Sequence, residues 1–180
     1  MIKQVFSYYW QICLLKISPH NTPYSYFLLG LSAFLLALVM VIQWSFSDVV
    51  FSDDIYITLL AVLSLLLSFY IYCYLVLYFR GRIGRFIQTL TSIFFAYLII
   101  QIIACPLLLL DPYLLHANLK NPVILFFGVI YLFISLGLSV WKFVITAHIF
   151  KYALSTTAIQ SVLAAFGLLA VNILTVSIWR

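Results

Sequence analysis

The sequence predicts an all-α integral membrane protein: one bundle of five transmembrane helices preceded by an amphipathic helix in the membrane interface. Of its 180 residues, 67% are apolar and 7% are charged, and the mean hydropathy is +1.22. Soluble domains are about half apolar and about a quarter charged. At about 20 residues per span, a chain of this length holds a single membrane domain and little else.

The basic net charge does not point to nucleic acid. The charge is +5, but the bases fall beside apolar runs, mostly in short connections, where basic residues act as topology signals. We therefore expect the lipid bilayer to be the surrounding medium and no nucleic-acid partner.

Residues 1–18 are apolar but interrupted by polar side chains on one side of a helical wheel, among them Lys3, Gln4 and Gln11. This pattern predicts a helix that lies in the interface. A signal peptide is the competing interpretation, but there is no compact apolar core and no small-residue cleavage site before Pro19. We expect the mature chain to begin near Met1.

Breaker residues and charges divide the rest of the chain into five apolar runs. Pro19 and Pro23 end the first segment, since proline interrupts a helix. Asn121 and Pro122 form a helix start, because asparagine caps a helix and proline suits its first turn. The predicted spans are about 24–44, 55–79, 86–110, 122–147 and 157–179.

Local signals refine three of these spans. Pro106 lies late in the third run and is expected to kink the helix or stop it near Cys105. Thr157 and Gln160 stand in capping-box spacing at the start of the fifth. Small residues at helical spacing predict close packing of the first and fifth spans. They are Gly30, Ala33 and Ala37, and Ser161, Ala164, Ala165 and Gly167.

The connection between the second and third spans orients the chain, because it holds three arginines. The positive-inside rule places it in the cytoplasm. The N-terminus is then cytoplasmic, the C-terminus is outside, and all four aspartates (48, 53, 54 and 111) are outside. This predicts a multi-pass protein of the cell inner membrane. The bases expected inside are Lys3, Lys16, Arg80, Arg82, Arg85, Lys142 and Lys151, and Lys120 and Arg180 fall outside.

Two amides lie well inside predicted spans, away from the span ends: Gln101 in the third and Asn172 in the fifth. Their depths match within about one helical turn, so they are able to pair and register two helices. The alternative is that they face a cavity and bind a polar ligand, since polar groups inside a membrane are enriched at functional sites. Both interpretations remain open at this point.

Tyr70, Tyr74 and Tyr78 recur at every fourth residue of the second span. Tyr78 fits the aromatic belt at the interface. Tyr70 and Tyr74 lie deeper, where a phenol hydroxyl needs a partner. They either bond neighbouring helices or border a pocket that lipid can reach, and packing is the more common role of such a stripe.

The inventory of reactive residues predicts no enzyme, no cofactor and no metal site. The sequence contains no glutamate, and its acids lie outside the predicted spans. Cys13, Cys73 and Cys105 lie on three segments without paired spacing, which is typical of apolar fillers. The three histidines are divided between the two sides of the membrane. No phosphate loop, nucleophile elbow or zinc-protease motif is present.

The order of segments in this chain is similar to that of one known family. The chain combines a short arm and five spans with the segment RGRIGRFIQTL at 80–90 and a proline in ACPL at 104–107. In these features it resembles the Yip-domain family of Ypt-interacting membrane proteins. The eukaryotic signature of Asp-Leu-Tyr-Gly-Pro is absent and the family's Gly-Tyr pair reads Ala96-Tyr97, which favours a bacterial member. The resemblance implies a non-enzymatic role in membrane organisation or partner binding.

Two functional hypotheses follow. In the first, Arg80, Arg82 and Arg85 contact anionic lipid headgroups or a membrane-protein partner, with self-association included; for these arginines, topology alone is an equal alternative. In the second, the chain is a small transporter or permease component. Its path would be lined by Gln101 and Asn172, with Tyr70 and Tyr74. A lipid-modifying enzyme ranks third, because no nucleophile and base can be paired.

Overall fold

A computed structural model of the chain describes residues 2–19, 22–46, 55–115 and 122–179. Over these ranges the chain forms six α-helices and a short 3-10 turn, and no β-strand is present. The helices are α1 (Ile2–Cys13), α2 (Tyr26–Phe46), α3 (Ile55–Phe79), α4 (Phe86–Leu115), α5 (Pro122–Leu154) and α6 (Ala158–Ile178).

Helices α2 to α6 are each long and apolar enough to cross a membrane. The predicted fold class is therefore confirmed, and the chain is a multi-pass membrane protein. Lipid offers no hydrogen-bond partner to the main chain, so each apolar run has to satisfy its own amides as a continuous helix.

Helix α4 is the centre of the bundle and contacts α1, α2, α3 and α5. Every residue from Thr89 to Ile100 is buried. Its buried hydroxyls bond to carbonyls one turn back in the same helix, Thr91 to Ile87 at 2.7 Å for example. Polar side chains near the start of α4 are thus compatible with burial, because the helix itself satisfies them.

The helices alternate in direction, and α2 and α4 run parallel. The parallel direction is shown by a hydrogen bond near the start of α2 and of α4, in which the Gln88 side chain donates to the Thr22 carbonyl at 2.9 Å. We call this end of the bundle, which carries the connections 80–85 and 155–157, the arginine end. Helix α3 pairs antiparallel with α6, since Tyr72 Oη donates to the Ala164 carbonyl at 2.7 Å and Trp179 Nε1 to Ser64 Oγ at 2.8 Å.

Helix α1 is amphipathic, as predicted, and its apolar face is packed against protein. Tyr9, Ile12 and Cys13 are buried. The Tyr9 ring stacks on Phe95 of α4 with 4.1 Å between centroids. A second attachment runs from Trp141 Nε1 of α5 to the Cys13 carbonyl, at 3.0 Å. Its predicted place in the membrane interface stays a prediction.

Two of the predicted helix ends differ in the structure. Helix α4 continues through Pro106 to Leu115, so of the two outcomes expected at this proline the stop near Cys105 was wrong, and the kink stays a prediction. Proline removes one main-chain donor, and membrane helices tolerate that loss. Helix α5 continues to Leu154 rather than about 147, because its last two turns bury Phe150 and Leu154 in the core.

The small-residue and capping predictions have mixed outcomes. A methyl group added at Gly167 would collide with the Tyr72 side chain, whereas one added at Gly30 would meet nothing within 4 Å. The close approach is therefore confirmed in α6 and wrong at Gly30 in α2. Thr157 is the N-cap residue of α6 but makes no side-chain capping bond, so the hydrogen bond expected of a capping box is absent.

Candidate functional site

A half-open cavity of about 410 Å³ is bordered by all five long helices. Gln101 and Asn172 both line it, at residue 16 of the 30 in α4 and residue 15 of the 21 in α6. The cavity extends from the middle of these helices to near the C-terminal ends of α2 and α6, where Trp44 and Ser177 line it. Its lining consists of Leu36, Met40, Trp44, Leu65, Phe69, Tyr97, Gln101, Lys142, Asn172, Ile173, Val176 and Ser177.

Lys142 provides a cation at this wall. Its Nζ lies 4.1 Å from the centroid of the Tyr97 ring, within the range in which an aromatic face attracts a cation. The Lys142 side chain also lines two smaller adjoining cavities, of about 230 and 200 Å³. It is therefore partly accessible. Lys142 thus stands where three cavities meet.

No acidic side chain in the described part of the chain is paired with this cation. The sequence has four acids, of which Asp48, Asp53 and Asp54 lie outside the described residues. Asp111 lies in α4, ten residues beyond Gln101, which is about 15 Å along the helix axis. The Tyr97 ring is the electron-rich group that the structure places beside the ammonium.

Asn172 lines the same cavity and carries an unsatisfied acceptor. Its Oδ1 is buried and accepts no hydrogen bond, although a buried acceptor without a partner is rare in proteins and costs about 1–3 kcal/mol. The structural hypothesis, a bond pairing Gln101 and Asn172 through this oxygen, is not what the structure shows. The structure agrees with the first part of the alternative hypothesis, because Gln101 and Asn172 both line one cavity.

Gln43 joins α2 to this layer and was not identified from the sequence. Its Nε2 donates to the Gln101 main-chain carbonyl at 2.8 Å, and its Oε1 is buried without a partner. Gln43 is 4% exposed, which shows that an amide near a predicted span end can be interior. An amide inside an otherwise apolar run was the signal available.

Lys142 was not identified as a site residue from the sequence, because a basic residue in this chain is also explained as a topology signal. The structure places it inside α5, twelve residues before the helix ends at Leu154, or about 18 Å along the axis. The available signal was its position inside the fourth predicted span instead of in a connection.

The three arginines at the arginine end have different surroundings. Arg85 Nη1 donates to the Tyr152 carbonyl and to Ser155 Oγ, both at 2.9 Å, and to the Ala153 carbonyl at 3.4 Å. It therefore closes the C-terminus of α5, where carbonyls lack helical partners. Arg80 and Arg82 are exposed and are available to lipid or to a partner.

The tyrosine stripe lies away from the polar cavity. Tyr70 and Tyr74 are exposed, and their rings meet Phe86 edge-on at 4.9 and 5.9 Å. Tyr70 lines a different space, an apolar groove of about 430 Å³ between α2, α3 and α4 that also includes Gly30 and Ala33. The structure thus does not bring the tyrosines together with Gln101 and Asn172.

No cluster of metal-binding side chains occurs among the described residues. His148 Nε2 lies 3.3 Å from the Ile17 carbonyl and helps to hold the segment after α1. His20 and His116 lie outside the described residues. Cys13 and Cys73 are buried and Cys105 is exposed, and all three are free thiols that do not line the polar cavity.

The arrangement is suited to noncovalent binding. One cation, one vacant acceptor and two amide-bearing helices converge on a cavity with aromatic and aliphatic walls. Ligand sites commonly combine a mostly apolar lining with a few convergent polar groups.

A comparison of the chain with protein-family models, curated proteins and solved structures finds no match. The resemblance to the Yip-domain family stays a prediction.

Proposed function

We propose that this protein binds a small polar ligand in the cavity around Lys142 and acts as a small transporter or a permease component. One observation carries the proposal: an intramembrane cavity holds a lysine and a buried asparagine oxygen that accepts no hydrogen bond. Ionisable residues inside membrane helices mark substrate or ion pathways by default. A bound ligand would supply the missing partners.

The depth of the cavity supports a transport role. Gln101 lies at the midpoint of α4, and Asn172 lies four residues, or about 6 Å, past the midpoint of α6. Secondary transporters bind their substrates near the bilayer midplane. The protein's contribution in this proposal is binding and orientation, without covalent chemistry.

The test is ligand-dependent stabilisation of the purified protein in lipid nanodiscs. A library of small polar metabolites is screened by thermal unfolding, and a ligand at about 100 times its dissociation constant adds about 2.7 kcal/mol. Asn172→Leu should reduce this gain, because leucine offers the ligand no acceptor. Gln160→Leu is the matched control, since Gln160 lies on the same helix and is exposed.

The proposal fails if no polar compound stabilises the protein, or if Asn172→Leu and Gln160→Leu respond alike. Uptake of the stabilising compound into proteoliposomes then separates a transporter from a protein that only binds.

We propose a second role, contact with anionic lipid or a membrane-protein partner, for the exposed Arg80 and Arg82. Each base near an anionic surface contributes about 1 kcal/mol. Extraction into native-lipid nanodiscs followed by mass spectrometry tests this role. Enrichment of anionic lipid or of one stoichiometric protein should disappear in the double variant Arg80→Gln/Arg82→Gln, and unchanged enrichment would contradict the role.

The proposed setting is the cell inner membrane, with the arginine end in the cytoplasm and the C-terminus outside, as in a bacterial-type Yip-domain protein. The positive-inside rule supports this orientation. A periplasmic reporter fused at the C-terminus should be active and one fused at the N-terminus inactive. The reverse result would invert the topology.

A further inference from the structure

We infer that the ligand of this cavity is an amphipathic organic anion that carries a hydrogen-bond donor beside its acidic group. The acid would pair with Lys142 Nζ, the donor would bond to Asn172 Oδ1, and an apolar body would fill the remainder. This inference rests on the proposed function and names the class of ligand.

The negative charge follows from Lys142. An ammonium in a membrane-crossing helix is expensive unless it is paired, and in the described part of the chain its neighbour is the Tyr97 ring at 4.1 Å and no carboxylate. The position of Lys142 at three adjoining cavities leaves room for an anionic group beside it.

The donor follows from Asn172. Its Oδ1 is an acceptor that receives no hydrogen bond, and a bare anion would place acceptor against acceptor there. This oxygen is buried in the ligand-free protein, so the Asn172 side chain has to turn toward the cavity to meet a ligand. A hydroxyl or an N–H group on the ligand then satisfies the oxygen. A hydroxy acid, an N-acyl amino acid and a phosphate ester with a free hydroxyl all have the required pair of groups.

The apolar body follows from the rest of the wall. Trp44, Phe69 and Tyr97 contribute aromatic surface, and the other apolar residues are a methionine and four aliphatic side chains. The volume of about 410 Å³ falls in the range of about 300–1,000 Å³ that holds small organic ligands. An inorganic anion would leave most of this surface uncovered.

The experiment measures binding of matched probes to the full chain in nanodiscs of neutral lipid. 3-Phenyllactate has the acid, the hydroxyl and an apolar body, 3-phenylpropionate lacks the hydroxyl, and 3-phenyllactamide lacks the charge. Lysophosphatidic acid carries the same groups on a lipid, so its affinity relative to 3-phenyllactate distinguishes a lipid ligand from a free acid. Inorganic phosphate reports binding of the ion alone.

We expect the amide to bind about 10- to 100-fold more weakly than the acid, which is the value of a hydrogen bond to a charged group. Loss of the hydroxyl should weaken binding about 3- to 10-fold. Lys142→Met should reduce affinity for the acid to that of the amide, and Lys142→Arg should retain the preference. Lys151→Met is the matched control, an exposed lysine on the same helix.

Asn172→Leu should abolish the preference for 3-phenyllactate over 3-phenylpropionate while both still bind. This comparison, together with the acid-to-amide ratio in the unmodified chain, tests the inference even if Lys142→Met does not fold. Equal binding of acid and amide, or an unchanged hydroxyl preference in Asn172→Leu, would overturn it.

Other outcomes separate this inference from the proposed function. If only neutral or cationic compounds bind and Asn172→Leu abolishes that binding, the proposed function stands and the inference is wrong. Absence of binding by every class of compound removes both. If the anionic probes bind only after Asp48→Asn/Asp53→Asn/Asp54→Asn substitution, the counter-ion belongs to the chain and the inference is also wrong.

Discussion

Arg85 joins the two connections at the arginine end through its guanidinium group. Nη1 reaches two carbonyls at the end of α5 and the Ser155 hydroxyl. The planar guanidinium keeps its charge and presents donors in a rigid fork that lysine cannot reproduce. Removal therefore takes a charged donor from the carbonyls at the end of α5.

We expect Arg85→Met to lower the free energy of unfolding by about 1–2 kcal/mol, because hydrogen bonds and a favourable charge at a helix end are lost together. Arg82→Met should change it little, since Arg82 is exposed. Thermal unfolding of both variants in the same detergent measures the difference. Equal effects of the two substitutions would show that Arg85 contributes only surface charge.

At the scale of elements, helices α3 and α6 meet closely at Gly167. The Tyr72 side chain crosses this glycine on its way to the Ala164 carbonyl, and the ring carbon Cζ would lie 2.9 Å from an added Cβ. The absence of a side chain thus lets a tyrosine donate to the main chain of the facing helix.

Gly167→Ala should displace Tyr72 and cost about 1–3 kcal/mol through crowding and the lost hydrogen bond. Gly30→Ala is the matched control in a membrane-crossing helix, where the added methyl group meets nothing. Tyr72→Phe combined with Gly167→Ala should cost less than the sum of the single changes, since they act on one contact. If the two substitutions lower the free energy of unfolding additively in a double-mutant cycle, Tyr72 and Gly167 do not act through one contact.

Helix α1 attaches to the bundle mainly through Tyr9. Its ring stacks on Phe95, and its hydroxyl is buried without a partner. Burial raises the pKa of Tyr9, with a smaller contribution from Tyr8. Burial also raises the pKa of the Cys13 thiol from 9.0 to about 12.

Tyr9→Ala should release α1, because removal of a buried aromatic ring costs about 3–5 kcal/mol. Tyr9→Phe should be neutral or stabilising, since it keeps the stacking and removes an unpaired polar atom. Maleimide labelling of Cys13 at neutral pH measures release. Phe6→Ala is the control, since Phe6 is exposed. Labelling of Cys13 at the same rate in all four proteins would contradict this attachment.

The raised pKa values also make the docking of α1 depend on pH. The pKa of the Cys13 thiol is higher in the folded protein than in the unfolded chain. This difference stabilises the fold fully below pH 9.0, and the stabilisation is lost as the pH rises toward about 12. The unfolding temperature should therefore fall across this window. Tyr9→Phe/Cys13→Ala should fall less steeply, and parallel curves for the two proteins would contradict the expectation.

At the scale of the whole molecule, the helices differ in length. Helices α4 and α5 have 30 and 33 residues, or about 45 and 50 Å, whereas the hydrocarbon core of a bilayer is about 30 Å thick. Helices α2 and α6 have 21 residues each, about 32 Å, and match it. The α4 and α5 pair has to tilt, project or thicken the bilayer around it.

This mismatch predicts greater stability in thicker bilayers. The apolar surface of the first half of α5 is exposed in the bundle, for example at Phe126 and Phe133, so additional hydrocarbon would cover it. Thermal unfolding in nanodiscs of increasing acyl-chain length should show a rising midpoint. A maximum at the thickness that matches α2 and α6 would indicate that α4 and α5 tilt instead.

The sequence by itself determined the class, the number of spans, their order and most of their boundaries. Hydropathy is a local property, and lipid requires each apolar run to be a helix, so these features need no knowledge of neighbours. It also identified Gln101 and Asn172 as polar residues of matching depth.

Only the tertiary structure decided that α4 is the centre and that Lys142, Gln101 and Asn172 line one cavity. The physical reason is that lipid and protein interior are equally apolar. The spans are hydrophobic on all sides, so no periodicity in the sequence marks which face meets a neighbour. The same lysine serves as a topology signal or as a ligand for an anion, and its neighbours across three helices determine which.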